Sequence, residues 1–194
     1  MIEIKNLYIK EINTTITYTI PDGINYLIAK NGSGKSLLLD NLALNRIGYN
    51  KEIDFNGQSN IYLRQNFYFN NKLTVKDYIE FILGINSQSP QVFINFLHSF
   101  NLQEFYKDNY YKKIGILSGG ERQFLYLLSI LCLDRDWYIL DEPFNELDDE
   151  KCKQIANIIL YLHKQEFKNF LITSHVSFPL IDFNKIPFSE MISP

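Results

Sequence analysis

No run in this chain is apolar enough to span a bilayer. The longest, "FLYLLSILCL" at 124–133, is broken by Ser129 and falls well short of the roughly 20 residues a membrane helix needs. The amino-terminal "MIEIKNLYIK" carries no signal-peptide core, so a soluble, cytosolic protein is expected. Cysteine is scarce. Cys132 and Cys152 stand alone in apolar or helical surroundings, which excludes C-x-x-C zinc and redox spacings and points to reduced, buried thiols. Basic residues form no block, and the net charge of −3 offers no footprint for nucleic acid. Sustained heptads, an N-K-x-D guanine motif, repeats and low-complexity tracts are also missing. One glycine is absent where it matters: "AKNGSGKS" at 29–36 follows the phosphate-loop pattern G-x-x-x-x-G-K-[ST], except that Ala29 stands first.

What is there suits one folded domain over 1–194. Apolar residues make up 46% of the chain and charged ones 21%, a globular balance. "IEIKNLYI" and "TTITYTI" read as strands, Pro21–Asp22–Gly23 as a turn, and "INYLI" as a buried parallel strand. The last feeds the glycine loop, and "GKSLLLDNLAL" continues as a helix. From about 66 to 116 the texture turns helical. Thr74 and Asp77 form a capping-box pattern before Val75, Tyr78, Ile79, Ile82 and Leu83, with Gly84 placed to end that helix. Ser89 and Pro90 open another, with Val92, Phe93, Phe96, Leu97 and Phe100 on one face. "WYIL" and "NFLIT" are two further buried strands. Such alternation argues for an α/β fold with a largely parallel sheet. The segment from about Val176 to Pro194 is too short for another domain.

Three stretches carry chemistry. In the loop, backbone amides and the first helical turn favour an anion; Lys35 would reach the β- and γ-phosphates and Ser36 would ligate Mg²⁺. Gly32 and Gly34 sit where side chains would crowd the phosphates, and Ala29 is tolerable if its φ stays negative. "WYILDE" at 137–142 ends a buried strand in two acids at the carboxyl edge of the sheet, where ligands of open α/β sheets bind. Adjacent strand residues face opposite ways, so the two differ in role: Asp141 would hold magnesium, and Glu142 would orient the attacking water and take its proton. In "LSGGERQ" at 117–123, Ser118, Gly119 and Gly120 precede a helix, which makes a second anion-seeking helix end.

Loop, "LSGGERQ", "ILDEP" and "ITSH" occur in one order along the chain, and in that order they resemble the ATP-binding cassette (ABC) family over nearly the whole length. The resemblance implies a RecA-like P-loop core, a small antiparallel β part at the amino terminus, and an α-helical subdomain between Gln65 and the signature. It implies ATP and Mg²⁺ as ligands, with Ala29, Lys30, Asn31, Gly32, Ser33, Gly34, Lys35, Ser36 and Leu37 around the phosphates. Gln65 looks like the glutamine that joins magnesium and water, and His175 resembles the switch histidine at the γ-phosphate. Asp148 in "NELD" matches the aspartate of a loop at the dimer interface; the family more often has Ser-Ala at the positions of Asn145 and Glu146. For the aromatic that stacks on adenine, Tyr8 is the candidate, with Tyr18 and core packing as competitors. The interval from Lys35 to Gln65 looks shortened.

The function this resemblance implies is an ATP-hydrolysing subunit at the cytoplasmic face of a membrane, serving a separate integral membrane subunit. It would close head to tail with a second copy or a related subunit, Ser118 and its glycines capping the neighbour's nucleotide. The "LTV" after Gln65 leans toward export of a peptide, lipid or drug, and importers stay open. The aromatic strip "QNFYFNNKLTVKDYIEF" is the expected groove for the membrane partner, with core packing as the competing reading. The alternative is an ABC-type ATPase acting on nucleic acid or ribosomes.

Overall fold

The computed structural model describes residues 1–30, 32–44, 51–65, 67–174 and 183–192. In chain order the elements are β1 (Ile2–Ile9), β2 (Thr14–Ile20), β3 (Ile24–Ile28), α1 (Lys35–Leu44), β4 (Ile53–Asp54), β5 (Asn60–Leu63), α2 (Val75–Ile85), α3 (Pro90–Ser99) and α4 (Gln103–Asn109). They continue with α5 (Gly119–Leu131), β6 (Trp137–Asp141), α6 (Asp149–Glu166), β7 (Asn169–Thr173) and β8 (Asn184–Pro187). The chain divides into two compact units: Met1–Asn66 with Arg135–Phe144 and Ile159–Pro194, and Phe67–Asp134 with Asn145–Ile158.

The first unit holds a five-stranded sheet in the order β5-β6-β7-β3-β8 and a three-stranded sheet β2-β1-β4. Every neighbour pair of the larger sheet is parallel, and the smaller one is antiparallel. β6 and β7 bury all their residues, as strands covered on both faces must. Tyr138 and Phe170 stack at 5.0 Å between them. The core joins Ile2, Ile4 and Leu7 of β1 to Leu38, Leu39 and Leu42 of α1 and to the fully buried Trp137, whose Nε1–H donates to Gln58 Oε1 at 2.9 Å. After α1, β4 is only two residues long. The carboxyl-terminal segment adds β8 beside β3. "NKIP" buries only Ile186 and ends in proline, the profile of an edge strand with little periodicity to read.

The second unit is helical. The Thr74–Asp77 capping box forms in both directions, and α2 buries Val75, Tyr78, Ile79, Ile82 and Leu83. Gly84 does not end this helix. α2 runs through Ile85, and Ser87 takes the left-handed turn (φ 56°) with its N–H on Gly84 O at 3.0 Å. On α3, Phe93 and Leu97 are buried, whereas Val92, Phe96 and Phe100 are only half-buried. Much of the aromatic strip is internal packing: Phe67 meets Tyr126, Phe69 meets Tyr78 and Phe81, and Tyr78 meets Tyr126. Tyr68 stays outside, 68% exposed. Cys132 is buried and Cys152 half-buried, both free thiols. Burial pushes the Cys132 thiol up to about 12, so it stays protonated and inert.

Candidate active site

β3 delivers the chain to the glycine loop at the carboxyl edge of the parallel sheet. Ala29 keeps a negative φ, while Gly32 and Gly34 take φ of 75° and 101°, so the methyl at position 29 brings no backbone strain. Gly34 is required twice over, because a Cβ there would also lie 2.6 Å from Ile12 Cδ1. The first α1 bond runs from Leu38 N–H to Gly34 O at 3.0 Å, which leaves the amides of Lys35, Ser36 and Leu37 without an intrahelical acceptor. Lys35 is buried, 8% exposed, and its Nζ donates to the carbonyls of Ala29 (2.9 Å) and Lys30 (3.4 Å). Among the described residues it forms no ion pair. A buried ammonium with no counter-charge calls for an anion. Ser33 Oγ, buried and without a partner among the described residues, offers a further donor.

At the end of β6, Asp141 is 2% exposed. It lies in register with Thr173 of β7. Thr173 Oγ1–H donates to Asp141 Oδ1 at 2.6 Å, and Glu142 N–H donates to Thr173 Oγ1 at 2.9 Å. Asp141 Oδ2 is buried with no hydrogen-bond partner among the described residues. Glu142 adopts a left-handed φ of 51°, which turns its side chain off the strand direction. From β5, Tyr62 OH donates to Asp40 Oδ1 at 3.1 Å. Burial first, then the charges of Asp141 and Asp40, raise the Tyr62 pKa, so the phenol remains a donor.

Of these, loop residues 32–37 and Glu142 meet Gln65 and Ile12 in the lining of one cleft of about 470 Å³; Asp141 lies just before Glu142 at the end of β6. Asn31 and His175 lie outside the described residues. Tyr8 does not line the cleft; it is 54% exposed and its hydroxyl donates to Asn13 Oδ1 at 2.8 Å. Ile12 and Leu37 are the large apolar residues of the cleft lining. Sequence reasoning missed Ile12 and Thr173. The first is a single apolar residue in a polar turn, and the second is recognisable only once the register pairs it with Asp141. A larger cleft, about 640 Å³, opens at the amino ends of β3, β7 and β8. There Asn169 accepts Gly23 N–H and Asn184 donates to Asn25, so its amides are occupied in holding the strands.

In the second unit, Ser118 caps α5. Its Oγ accepts Glu121 N–H at 3.2 Å, and Glu121 Oε2 accepts Ser118 N–H at 2.8 Å. The Ser118 amide first, and then its hydroxyl, holds the Glu121 carboxyl below the usual range. Gly119 and Gly120 face Glu146: a Cβ would lie 2.2 Å from Glu146 Oε2 at position 119 and 2.6 Å from Glu146 O at position 120. Asp148 stands just before α6, where its Oδ1 accepts Lys151 N–H at 2.8 Å and its carboxylate pairs with the Lys151 ammonium.

Residues 14–145 match the family model described as ABC transporter. The chain belongs to the ABC transporter family. It is 28% identical over 197 residues to the petrobactin import ATP-binding protein YclP of Bacillus subtilis, covering 90% of this chain and 77% of that protein. The lipoprotein-releasing system ATP-binding protein LolD of Buchnera aphidicola is 28% identical over 206 residues, 88% of this chain and 89% of its own. A bacterial ABC transporter cassette solved as a dimer shares the fold, with a TM-score of 0.69 at 20% identity over 91% of this chain and 88% of that one. As an ATP-binding subunit of this family the protein is an ATPase. No helix among the described residues is long and apolar enough to cross a membrane.

Proposed function

We propose that the whole chain, 1–194, works as one ATPase domain that drives transport through a separate integral membrane subunit, docked at the cytoplasmic face of the membrane. The observation that carries the site reading is the buried Lys35 ammonium, without an ion pair among the described residues, at the same carboxyl edge of the sheet as an orphaned Asp141 oxygen: one group calls for an anion and the other for a cation. Lys35, the Ser33 hydroxyl and the amides of 35–37 receive the triphosphate, with residues 29–34 forming the loop around it. Ser36, Gln65 and Asp141 form an all-oxygen donor set suited to Mg²⁺. When bound there, that ion neutralises phosphate charge.

Glu142 orients a water against the γ-phosphorus and takes its proton as the new P–O bond forms. The bond to the β,γ-bridging oxygen breaks, and ADP leaves with that electron pair. Thr173 fixes Asp141 and the Glu142 backbone, so both carboxylates start from set positions. Ile12 supports the base, and His175 completes the γ-phosphate contacts. Two copies, or one copy and a related subunit, close head to tail. Ser118, Gly119 and Gly120 of one cap the nucleotide of the other, with Asp148 at the interface. Glu142→Gln tests this: it should bind ATP, turn over at least about 100-fold more slowly, and accumulate as an ATP-bound dimer. Turnover at the parent rate would refute the role of Glu142.

Export of a peptide, lipid or drug is the first reading, and the likeness to a lipoprotein-releasing system's ATP-binding protein, which spans nearly the full length of both chains, supports it. The YclP likeness supports import as the second reading. Co-purification with a multi-span membrane protein, followed by uptake and efflux assays on that pair, decides between them. Recovery with nucleic acid or ribosomes instead would favour the non-transport alternative.

A further inference from the structure

The glycines of the signature have an occupant from their own unit. Glu146 holds a left-handed φ of 68° in the turn before α6. That conformation brings its carbonyl against Gly120 and its carboxylate oxygen Oε2 against Gly119, closer than any side chain at those positions would allow. The helix end it touches is already half served: the Ser118–Glu121 box satisfies two donors. Gly119 and Gly120 contribute amides with no intrahelical acceptor, at the positive end of the α5 dipole. A carboxylate is stable there for the same reason that a phosphate would be. Glu121 lies at the same end but is fixed in its box, with Lys112 and Lys151 adding to the field that keeps it ionised. Glu146 is exposed and free of ion pairs among the described residues, so its side chain can leave.

We propose that Glu146 is a resident competitor for the lid: its carboxylate covers the amino end of α5 and has to swing aside before a second copy's triphosphate docks there. This rests on the head-to-tail reading above. Glu146 then sets how much ATP is needed to close the dimer, without touching the loop that first binds it. The carboxylate gives up its favourable place at the helix end, and until it moves it meets the incoming phosphate as a like charge.

The test uses full-length Glu142→Gln protein, in which closed dimers accumulate, with and without Glu146→Gln. ATP·Mg²⁺ is titrated and dimer mass followed by light scattering, while nucleotide affinity is measured at a dilution where the chain is monomeric. The proposal expects the midpoint of closure to fall by about two- to fivefold per site, with monomer affinity unchanged. Glu146→Ala, which removes the carboxylate altogether, should move the midpoint the same way. An equal or higher midpoint in both variants overturns this inference alone. If parent and variants all bind ATP and none dimerises, the head-to-tail reading falls and takes the inference with it.

Discussion

Thr173 and Asp141 face each other across β7 and β6, joined by a 2.6 Å hydrogen bond from the Thr173 hydroxyl to Asp141 Oδ1. The same oxygen of Thr173 accepts the Glu142 amide. One buried hydroxyl therefore anchors both acids at the end of β6. Thr173→Val keeps the volume and removes both bonds, taking one partner from a buried carboxylate oxygen and one from a buried N–H. A loss of about 2–4 kcal/mol in urea unfolding is expected, with lowered ATPase turnover. Thr173→Ser should restore most of each. A Val variant as stable and active as the parent would contradict the anchoring role.

Ile12 bears on base selectivity. No aromatic residue lines the loop cleft among the described residues, and the support proposed for the base is therefore aliphatic. ATP and GTP should bind within a few-fold of each other in competition assays. Ile12→Tyr introduces a stacking surface worth about 1–3 kcal/mol and should tighten ATP binding about fivefold or more.

The two signature glycines should respond unequally to alanine. At Gly119 the obstacle is the end of a flexible carboxylate, and at Gly120 it is a backbone oxygen. Gly119→Ala can be accommodated by rotating Glu146, and alanine's helix preference offsets up to about 1 kcal/mol. Gly120→Ala has to shift the 145–148 turn and should cost about 1–3 kcal/mol. Thermal unfolding of the two variants reads the difference, and equal shifts would count against the packing described.

Asp136 gives a pH-dependent prediction. Its Oδ2 accepts both the hydroxyl and the amide of Ser59 at 2.7 Å, and those bonds lower its pKa from 3.8. A depressed carboxyl contributes stability above its unfolded pKa and loses that contribution as pH falls through the folded one. Asp136→Asn should therefore lower the Tm at pH 7, and the gap to the parent should shrink below about pH 4. A gap that is constant from pH 7 to pH 3 would exclude the linkage.

Legibility tracks locality. The Thr74–Asp77 box is a short-range pattern with its own chemistry, and it forms as the residues suggest; the Ser118–Glu121 box has the same spacing, but sequence reasoning missed it. β6 and β7 are apolar throughout before their polar ends, so both are readable as buried strands. α4 is not readable, because Leu102 precedes it with no side-chain cap. β8 is hidden because an edge strand needs little periodicity. Ile12, Thr173 and the approach of Glu146 to the glycines arise from tertiary placement, which spacing alone does not encode. Gly84 shows the converse: the helix stop belongs to Ser87, whose left-handed turn no glycine announces.

In the proposed head-to-tail dimer each subunit's α5 end would serve the nucleotide of the other, and complementation tests this most directly. Lys35→Ala destroys the loop and Ser118→Arg destroys the lid, so each variant alone should be inactive as an ATPase. Mixed in equal amounts, half of the exchanging dimers would pair one intact loop with one intact lid, and activity should recover to about a quarter of the parent's. A mixture as inactive as its components, with exchange verified by mass, would contradict a lid supplied by the neighbouring subunit.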